Sequence, residues 1–182
     1  MRKILVFTFT AAFVLAVALG TVNAAYKPMP KVGQPAPTFT LPAQDGSDVS
    51  LESFHGKWVV LFFYPKDLAS SSTAEAKAFQ QDLPKYEDLN SVVLGVSEDT
   101  VASHKKFAAQ AGITFKLLSD SKGTVAGDYG ALGTANGAPA ANRVTFLINP
   151  EGKISKVYSG IAPAKHTKMI SHDLGAKPPI VH

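Results

Sequence analysis

The feature that most constrains the fold is a continuous apolar run of seven residues, from Trp58 to Tyr64. A strand with one face in water alternates apolar and polar residues, whereas an uninterrupted run of this length is typical of a strand buried on both faces. A second such run, Ser91 to Ser97, follows a segment in which Ala76, Phe79 and Leu83 have helical spacing. This order predicts a βαβ unit at the centre of an α/β sheet.

The rest of the chain continues the alternation of strands and helices. Residues 130–142 are rich in Gly, Ala and Asn, which predicts a mobile loop, and Asn149-Pro150-Glu151-Gly152 is a typical turn sequence. In chain order we predict a helix over 100–111 closed by Gly112, a strand over 115–118, a short helix over 124–129, strands over 143–148 and 154–158, and a helix from 162 to about 174. The predicted fold is therefore an α/β fold with a central mixed sheet and helices on both faces.

The first residues have the pattern of a secretory signal. Arg2 and Lys3 precede an apolar run from Ile4 to Leu19, and Val22-Asn23-Ala24 is a small-x-small cleavage pattern. The alternative is an uncleaved membrane anchor, but the run is shorter than the ~20 apolar residues that span a bilayer. We predict a signal peptide over 1–24, an exported protein that is periplasmic or secreted, and no membrane partner after cleavage.

The predicted mature chain divides into three parts. Residues 25–42 form an extended arm, because the prolines at 28, 30, 35, 37 and 42 prevent a helix, with a short edge strand at 38–41. The folded domain spans 32–175, and a loose tail follows over 176–182, where Pro178-Pro179 occurs.

Composition excludes several classes of function. The chain has no cysteine, so no residue of its own can act as a thiol nucleophile, redox group or disulfide partner. Loss of Arg2 and Lys3 with the signal lowers the formal net charge from +4 to +2, which is too little to indicate a nucleic-acid partner. The sequence does not decide between monomer and dimer.

No metal, cofactor or hydrolase site is predicted. The Gly-x-Ser-x-Gly pattern of a serine hydrolase is absent. The histidines are scattered, and His166 and His172 are six residues apart, which does not place them on one helical face. The five are His55, His104, His166, His172 and His182.

Three consecutive serines, Ser70 to Ser72, lie where the first central strand leads into a helix. Ser72-Thr73-Ala74-Glu75 matches a capping box, in which Ser72 would accept a hydrogen bond from a free amide and Glu75 would reach back. Arg143 has two interpretations, either an ion pair with Glu75 or part of an anion site with the helix amides at 71–73.

The order of segments resembles the peroxiredoxins, and within them the bacterioferritin-comigratory or Q-type group. The resemblance covers most of the mature domain. It rests on Val32-Gly33-Gln34-Pro35-Ala36-Pro37 with Phe39 and Leu41, Phe62 to Asp67, Ser97-Glu98-Asp99 with Ser103, His104 and Phe107, Leu117 to Asp120, Tyr129-Gly130, and Arg143 to Ile148. It implies a thioredoxin-like fold and thioredoxin-dependent reduction of hydrogen peroxide or alkyl hydroperoxides.

The resemblance fails at the residues that carry that reaction. The family has Thr-Pro-Gly-Cys-Thr where this chain has Ala69-Ser70-Ser71-Ser72-Thr73, so Ser72 stands at the position of the peroxidatic cysteine. Ala69 and Ser70 stand at the positions of the threonine and proline that contact peroxide and shield the thiolate. Lys77 replaces the resolving cysteine of many members, and Arg143 is retained.

The resemblance therefore implies a peroxiredoxin scaffold that has lost peroxidase activity. Because the neighbours of Ser72 differ as well, natural divergence is favoured over a single engineered change, and a designed cysteine-free chain is the alternative. Two other function classes stay open. One is a non-catalytic binding or scaffold protein that uses the old active-site pocket, and the other is an enzyme of unrecognised chemistry built on Ser72.

Overall fold

The computed structural model describes residues 27–135 and 137–176. The predicted signal peptide, 1–24, and nearly all of the predicted tail lie outside these residues. Within the described part, the strands are β1 (Thr40–Pro42), β2 (Asp48–Ser50), β3 (Trp58–Phe63), β4 (Ser91–Ser97), β5 (Lys116–Ser119), β6 (Leu132–Ala135), β7 (Ala138–Ala141), β8 (Val144–Ile148) and β9 (Ile154–Ser159). The helices are α1 (Ser70–Asp88), α2 (Val101–Ala111), α3 (Thr124–Asp128) and α4 (Pro163–Gly175), and a short 3-10 helix spans Leu51–Phe54.

The central sheet has five strands in the order β5-β4-β3-β8-β9. Strand β4 pairs in parallel with β3 on one side and with β5 on the other, whereas β8 runs antiparallel to both of its neighbours, β3 and β9. The predicted mixed sheet is therefore confirmed. The apolar run at 58–64 forms β3 in the middle of the sheet, where every residue from Val59 to Phe63 is buried.

Each face of the sheet is covered by its own apolar core. One face packs against α1, α2 and α4 through residues that include Ala76, Phe79, Phe107 and Ile170. The other face is covered by α3 and by the segment before β3, with buried residues that include Phe39, Leu41, Val125 and Tyr129. Helices thus lie on both faces, as predicted. Among the residues described, no helix is long and apolar enough to cross a bilayer.

The predicted helix over 100–111 is confirmed together with both of its ends. The Thr100 hydroxyl accepts a hydrogen bond from the Ser103 amide at 3.2 Å, which caps the start of α2. Gly112 ends the helix at φ 68°, a left-handed conformation that glycine adopts without steric strain.

The proline-containing arm is part of the folded body. Strand β1 pairs antiparallel with β2, and the sequence analysis missed β2 because Asp48–Ser50 is too short to show alternation. Ala36 and Phe39 are buried against the sheet, and Gly33 and Ala36 bond to the backbone beside β9.

The prediction of a loop over 130–142 is wrong. Strands β6 and β7 form an antiparallel hairpin there, with Gly137 at φ 79° in the turn. Its strands contain Ala, Gly and Pro, which are rare in strands, so local propensity indicated a loop. The hairpin is bonded to the main sheet: the Glu98 carboxylate, just after β4, accepts from the Ala141 amide at 2.8 Å.

The Glu98 contact gives a pH-dependent prediction. Burial raises the pKa of Glu98, and its Oε1 atom is buried without a hydrogen-bond partner. A carboxyl whose pKa is higher in the folded than in the unfolded protein stabilises the fold at pH values below the unfolded pKa, which is near 4.5 for glutamate. This stabilisation is lost as the pH rises through the folded-state pKa. Glu98→Gln, which retains an acceptor for Ala141, should therefore gain stability over the wild type as pH rises above 4.5.

Urea unfolding of the wild type and Glu98→Gln between pH 4 and 8 measures this difference. Glu151→Gln, at an exposed turn position, is the matched control and should show no pH-dependent gain. A difference that stays constant with pH for Glu98→Gln would contradict a raised pKa at this carboxyl.

Candidate functional site

The site lies where β3 leads into α1, at the carboxyl end of a central strand. Tyr64 to Ala69 connect the two elements, and Leu68 has φ 61°, which is unusual for a residue with a side chain. Ligand sites of open α/β sheets lie at such junctions, where strand ends meet helix starts.

Asp67 fixes this connection through buried hydrogen bonds. Its carboxylate accepts from the Tyr64 hydroxyl at 2.8 Å and the Ser103 hydroxyl at 2.7 Å, and it lies 2.9 Å from His104 Nδ1. The Asp67 amide donates to Asp99 at 2.7 Å. Burial, together with the Asp67 charge, raises the pKa of Tyr64 well above its usual value, so the phenol stays a donor. The loop before the site is therefore bound to α2 and to the segment between β4 and α2 rather than free.

The predicted capping box is wrong. The N-cap of α1 is Ala69, which has no side-chain acceptor, and the helix begins at Ser70. Ser72 is therefore the third residue of the helix and cannot cap it. The Ser72 side chain is 1% exposed, and its hydroxyl has no hydrogen-bond partner.

Glu75 is completely buried and is shared by two basic side chains. Its Oε2 forms an ion pair with Arg143 Nη1, and its Oε1 accepts from His166 Nδ1 at 3.0 Å. Arg143 Nη2 also donates to the Ser71 hydroxyl at 3.0 Å. Of the two interpretations of Arg143, the structure has the ion pair. Because Ser71 and Glu75 flank Ser72, Arg143 lies over the start of α1.

The other predicted positions carry little chemistry. Ala69 is half-buried and has only a methyl group, so it cannot donate a hydrogen bond to a substrate. Ser70 is exposed at the first position of the helix, and Lys77 is exposed two turns further along. The structure therefore places Arg143 on Ser71 and Glu75, which lie on either side of Ser72 in the chain, and it places Ala69 and Ser70 just before them at the start of α1.

Sequence reasoning missed His166 as a member of this site. The histidine is 2% exposed and its ring packs against Phe79 and Tyr158. A signal was present, since His166, Ile170 and Leu174 are spaced by four residues and so lie on the apolar face of α4. Within residues 27–135 and 137–176, no three His, Asp or Glu side chains are grouped so as to bind a metal ion.

The sharing of Glu75 predicts a large stability effect. Removing one partner of a buried ion pair leaves the other charge unpaired, which destabilises a protein by about 3 kcal/mol or more. Glu75→Gln should therefore lower the free energy of unfolding by about 3 kcal/mol in urea titrations. Glu87→Gln, exposed on the same helix, is the matched control and should change it by less than about 0.5 kcal/mol. Equal effects of the two substitutions would contradict a structural role for Glu75.

Comparison with known proteins gives a consistent family. The model of the AhpC/TSA family matches residues 32–157. A putative peroxiredoxin bcp of Coxiella burnetii is 39% identical over 140 residues, which cover 75% of this chain and 93% of that protein. A putative peroxiredoxin bcp of Helicobacter pylori is 37% identical over 148 residues, which cover 79% of this chain and 97% of that protein.

The solved structures agree. Peroxidoxin BcpB of Mycobacterium tuberculosis superposes with a TM-score of 0.77 at 30% identity, covering 82% of this chain and 99% of that one. AhpC of Enterococcus faecalis superposes with a TM-score of 0.73 at 30% identity, covering 81% of this chain and 92% of that one. The thioredoxin-like fold is thereby confirmed, and the chain belongs to the AhpC/TSA family, as a peroxiredoxin of the bacterioferritin-comigratory or Q-type group that has no cysteine.

Proposed function

We propose that this protein is an exported peroxiredoxin-like pseudoenzyme that keeps the scaffold and has lost peroxidase activity. The observation that carries the proposal is that the helix position of the nucleophile is occupied by Ser72 in a chain without cysteine. Family members reduce peroxides with a thiolate, which attacks one peroxide oxygen; the O–O bond breaks, the other oxygen leaves as water or an alcohol, and the sulfur becomes a sulfenic acid. No side chain of this protein can enter that cycle.

The pocket cannot compensate for the missing sulfur. A serine hydroxyl ionises far above neutrality, and lowering a pKa by one unit requires about 1.4 kcal/mol. A helix amino end contributes at most about 2 kcal/mol. Arg143 adds little, because its charge is already paired with Glu75. Ser72 therefore stays a neutral alcohol at physiological pH.

Two variants test the loss of activity. Ser72→Cys restores the nucleophile alone, and the quadruple variant Ala69→Thr, Ser70→Pro, Ser71→Gly and Ser72→Cys restores the family sequence. We expect the natural protein to consume no hydrogen peroxide above the buffer control with thioredoxin, thioredoxin reductase and NADPH. We expect the quadruple variant to consume it.

The assay needs a second readout because Lys77 replaces the resolving cysteine. A sulfenic-acid probe such as dimedone detects oxidation of residue 72 whether or not thioredoxin can reduce the product. Peroxide consumption by the natural protein would contradict the proposal. Failure of both cysteine variants to form a sulfenic acid would mean that the scaffold itself is no longer competent.

Export is the part of the proposal that rests on the first residues. The charged start, apolar run and small-x-small pattern at 22–24 predict cleavage after Ala24. When the full chain is expressed in a Gram-negative bacterium, the protein recovered from the periplasm or medium should begin at Ala25 by N-terminal sequencing. Recovery of the chain with Met1 from the membrane fraction would contradict it and would favour an anchor.

A second candidate function is non-catalytic binding at the same site. It is favoured by a specific observation: the start of α1 has no capping side chain, and the buried Ser72 hydroxyl beside it has no partner. Both features leave hydrogen-bonding groups that no side chain of the described residues satisfies.

A further inference from the structure

The charges of the chain are unevenly divided along its length. Residues 25–142 contain ten Lys or Arg and twelve Asp or Glu, whereas residues 143–182 contain six Lys or Arg and two Asp or Glu. The carboxyl-terminal part is therefore strongly cationic, although the formal charge of the whole predicted mature chain is small. A local excess of one sign attracts partners of the opposite sign even when the net charge is close to zero.

Helix α4 presents part of this charge on one outward face. The residues concerned recur at intervals of three and four, so they lie on one side of the helix, and all of them are exposed. The opposite side, with Ile170 and Leu174, is buried in the core against the sheet. The outward face, called here the α4 stripe, consists of Lys165, Lys168, Met169 and His172.

The two lysines of the α4 stripe have no counter-ion among the described residues. The one acidic residue of the helix, Asp173, forms an ion pair with Lys156 of β9 at 2.6 Å and lies 3.6 Å from His172. Its charge is therefore already shared with Lys156. Lys165 and Lys168 are left with positive charges that a partner can neutralise.

A groove lies between the α4 stripe and the last strand of the central sheet. Its volume is about 270 Å³, and it is lined by Lys156, Lys168, Met169, His172 and Asp173. Met169 is 42% exposed, which is unusual for a large apolar side chain of this protein. The flexible thioether of methionine adapts to differently shaped partners and is common at binding surfaces. The groove thus combines an apolar wall with a cationic rim.

These features fit a segment of a protein better than a membrane surface. A helix that lies on a membrane inserts an apolar face rich in Trp, Phe or Leu. The apolar face of α4 is instead packed against the sheet, and Met169 is the one large apolar residue of the α4 stripe. A polypeptide has carboxylates that can pair with lysines and, between them, apolar side chains that can enter a groove.

We propose that the α4 stripe and the groove beside it dock an acidic segment of a partner protein. Carboxylates of the segment pair with Lys165 and Lys168, and an apolar side chain of the segment contacts Met169 in the groove. The stripe lies on a different face of α4 from the buried His166. Docking is therefore separate from the old peroxide site and does not depend on whether peroxidase activity is lost.

A synthetic peptide tests the docking surface. The probe is a short fluorescein-labelled peptide of Asp and Glu with a single Leu, and the control peptide has Lys in place of each acid. The protein, purified after expression of the full chain, is added while fluorescence anisotropy is followed. The acidic peptide should bind saturably in about 50 mM NaCl and more weakly in about 200 mM, because salt screens the charges. The basic peptide should not bind.

Charge reversal locates the binding. Lys165→Glu combined with Lys168→Glu should weaken binding of the acidic peptide about tenfold or more. Lys105→Glu combined with Lys106→Glu is the matched control, because it changes the net charge equally at two exposed lysines of α2. This control should weaken binding much less.

A second pair of variants tests the apolar contact. Met169→Ala shortens the wall of the groove and should weaken binding of the acidic peptide about threefold. Met29→Ala removes a similarly exposed methionine from the amino-terminal arm and should leave the affinity unchanged.

Amide chemical shifts map the site without any substitution. In the ¹⁵N-labelled protein, the acidic peptide should shift the amides of residues 165–173 and leave those of residues 101–106 in place. Flotation with vesicles of phosphatidylglycerol or of phosphatidylcholine tests the membrane alternative. The proposal is overturned by the absence of saturable peptide binding, by equal weakening in the two double variants, by shifts that exclude residues 165–173, or by binding to phosphatidylglycerol vesicles without binding to the peptide.

Discussion

The arrangement around α1 depends on one buried carboxylate. Glu75 is completely buried, and it is paired with Arg143, which directly precedes β8, and with His166 from α4. A charge in such a layer is tolerated only when its oxygens are satisfied, which requires both partners at fixed distances. This requirement fixes the start of α1, the residue before β8 and helix α4 relative to one another.

That arrangement gives part of the candidate site a structural role that is independent of catalysis. Arg143 and Glu75 belong to the packing of the domain as well as to the site, so replacing either one would leave the charge of the other unpaired. Ala69, Ser70 and Ser72 take part in no ion pair of the described residues, and by resemblance they are positions at which this chain differs from the family pattern. The hydroxyl of Ser72 forms no hydrogen bond that holds the fold together.

The central sheet could be predicted from sequence because β3 and β4 are continuous apolar runs, and α2 because Thr100 and Gly112 mark both of its ends. The hairpin at 132–141 could not be predicted, because Ala, Gly and Pro are typical of loops and the contact between Ala141 and Glu98 has no signal in the local sequence. The resemblance identified position 72, but the sequence wrongly predicted Ser72 as the cap of α1. The capping box requires the helix to begin after Ser72, whereas it begins at Ser70 with Ala69 as its N-cap. The pairing of His166 with Glu75 spans 91 residues and has no local signature.

The same long separation bears on the order in which the chain can complete its fold. Glu75 meets Arg143 across 68 residues and His166 across 91, so an amino-terminal portion made first has a core carboxylate with neither counterpart. Such a portion gains little by collapsing early, because the unpaired charge opposes burial of α1 until the last helix is present. Under the export proposed above, this delay would keep the chain unfolded, and so able to cross a membrane, until synthesis is nearly finished.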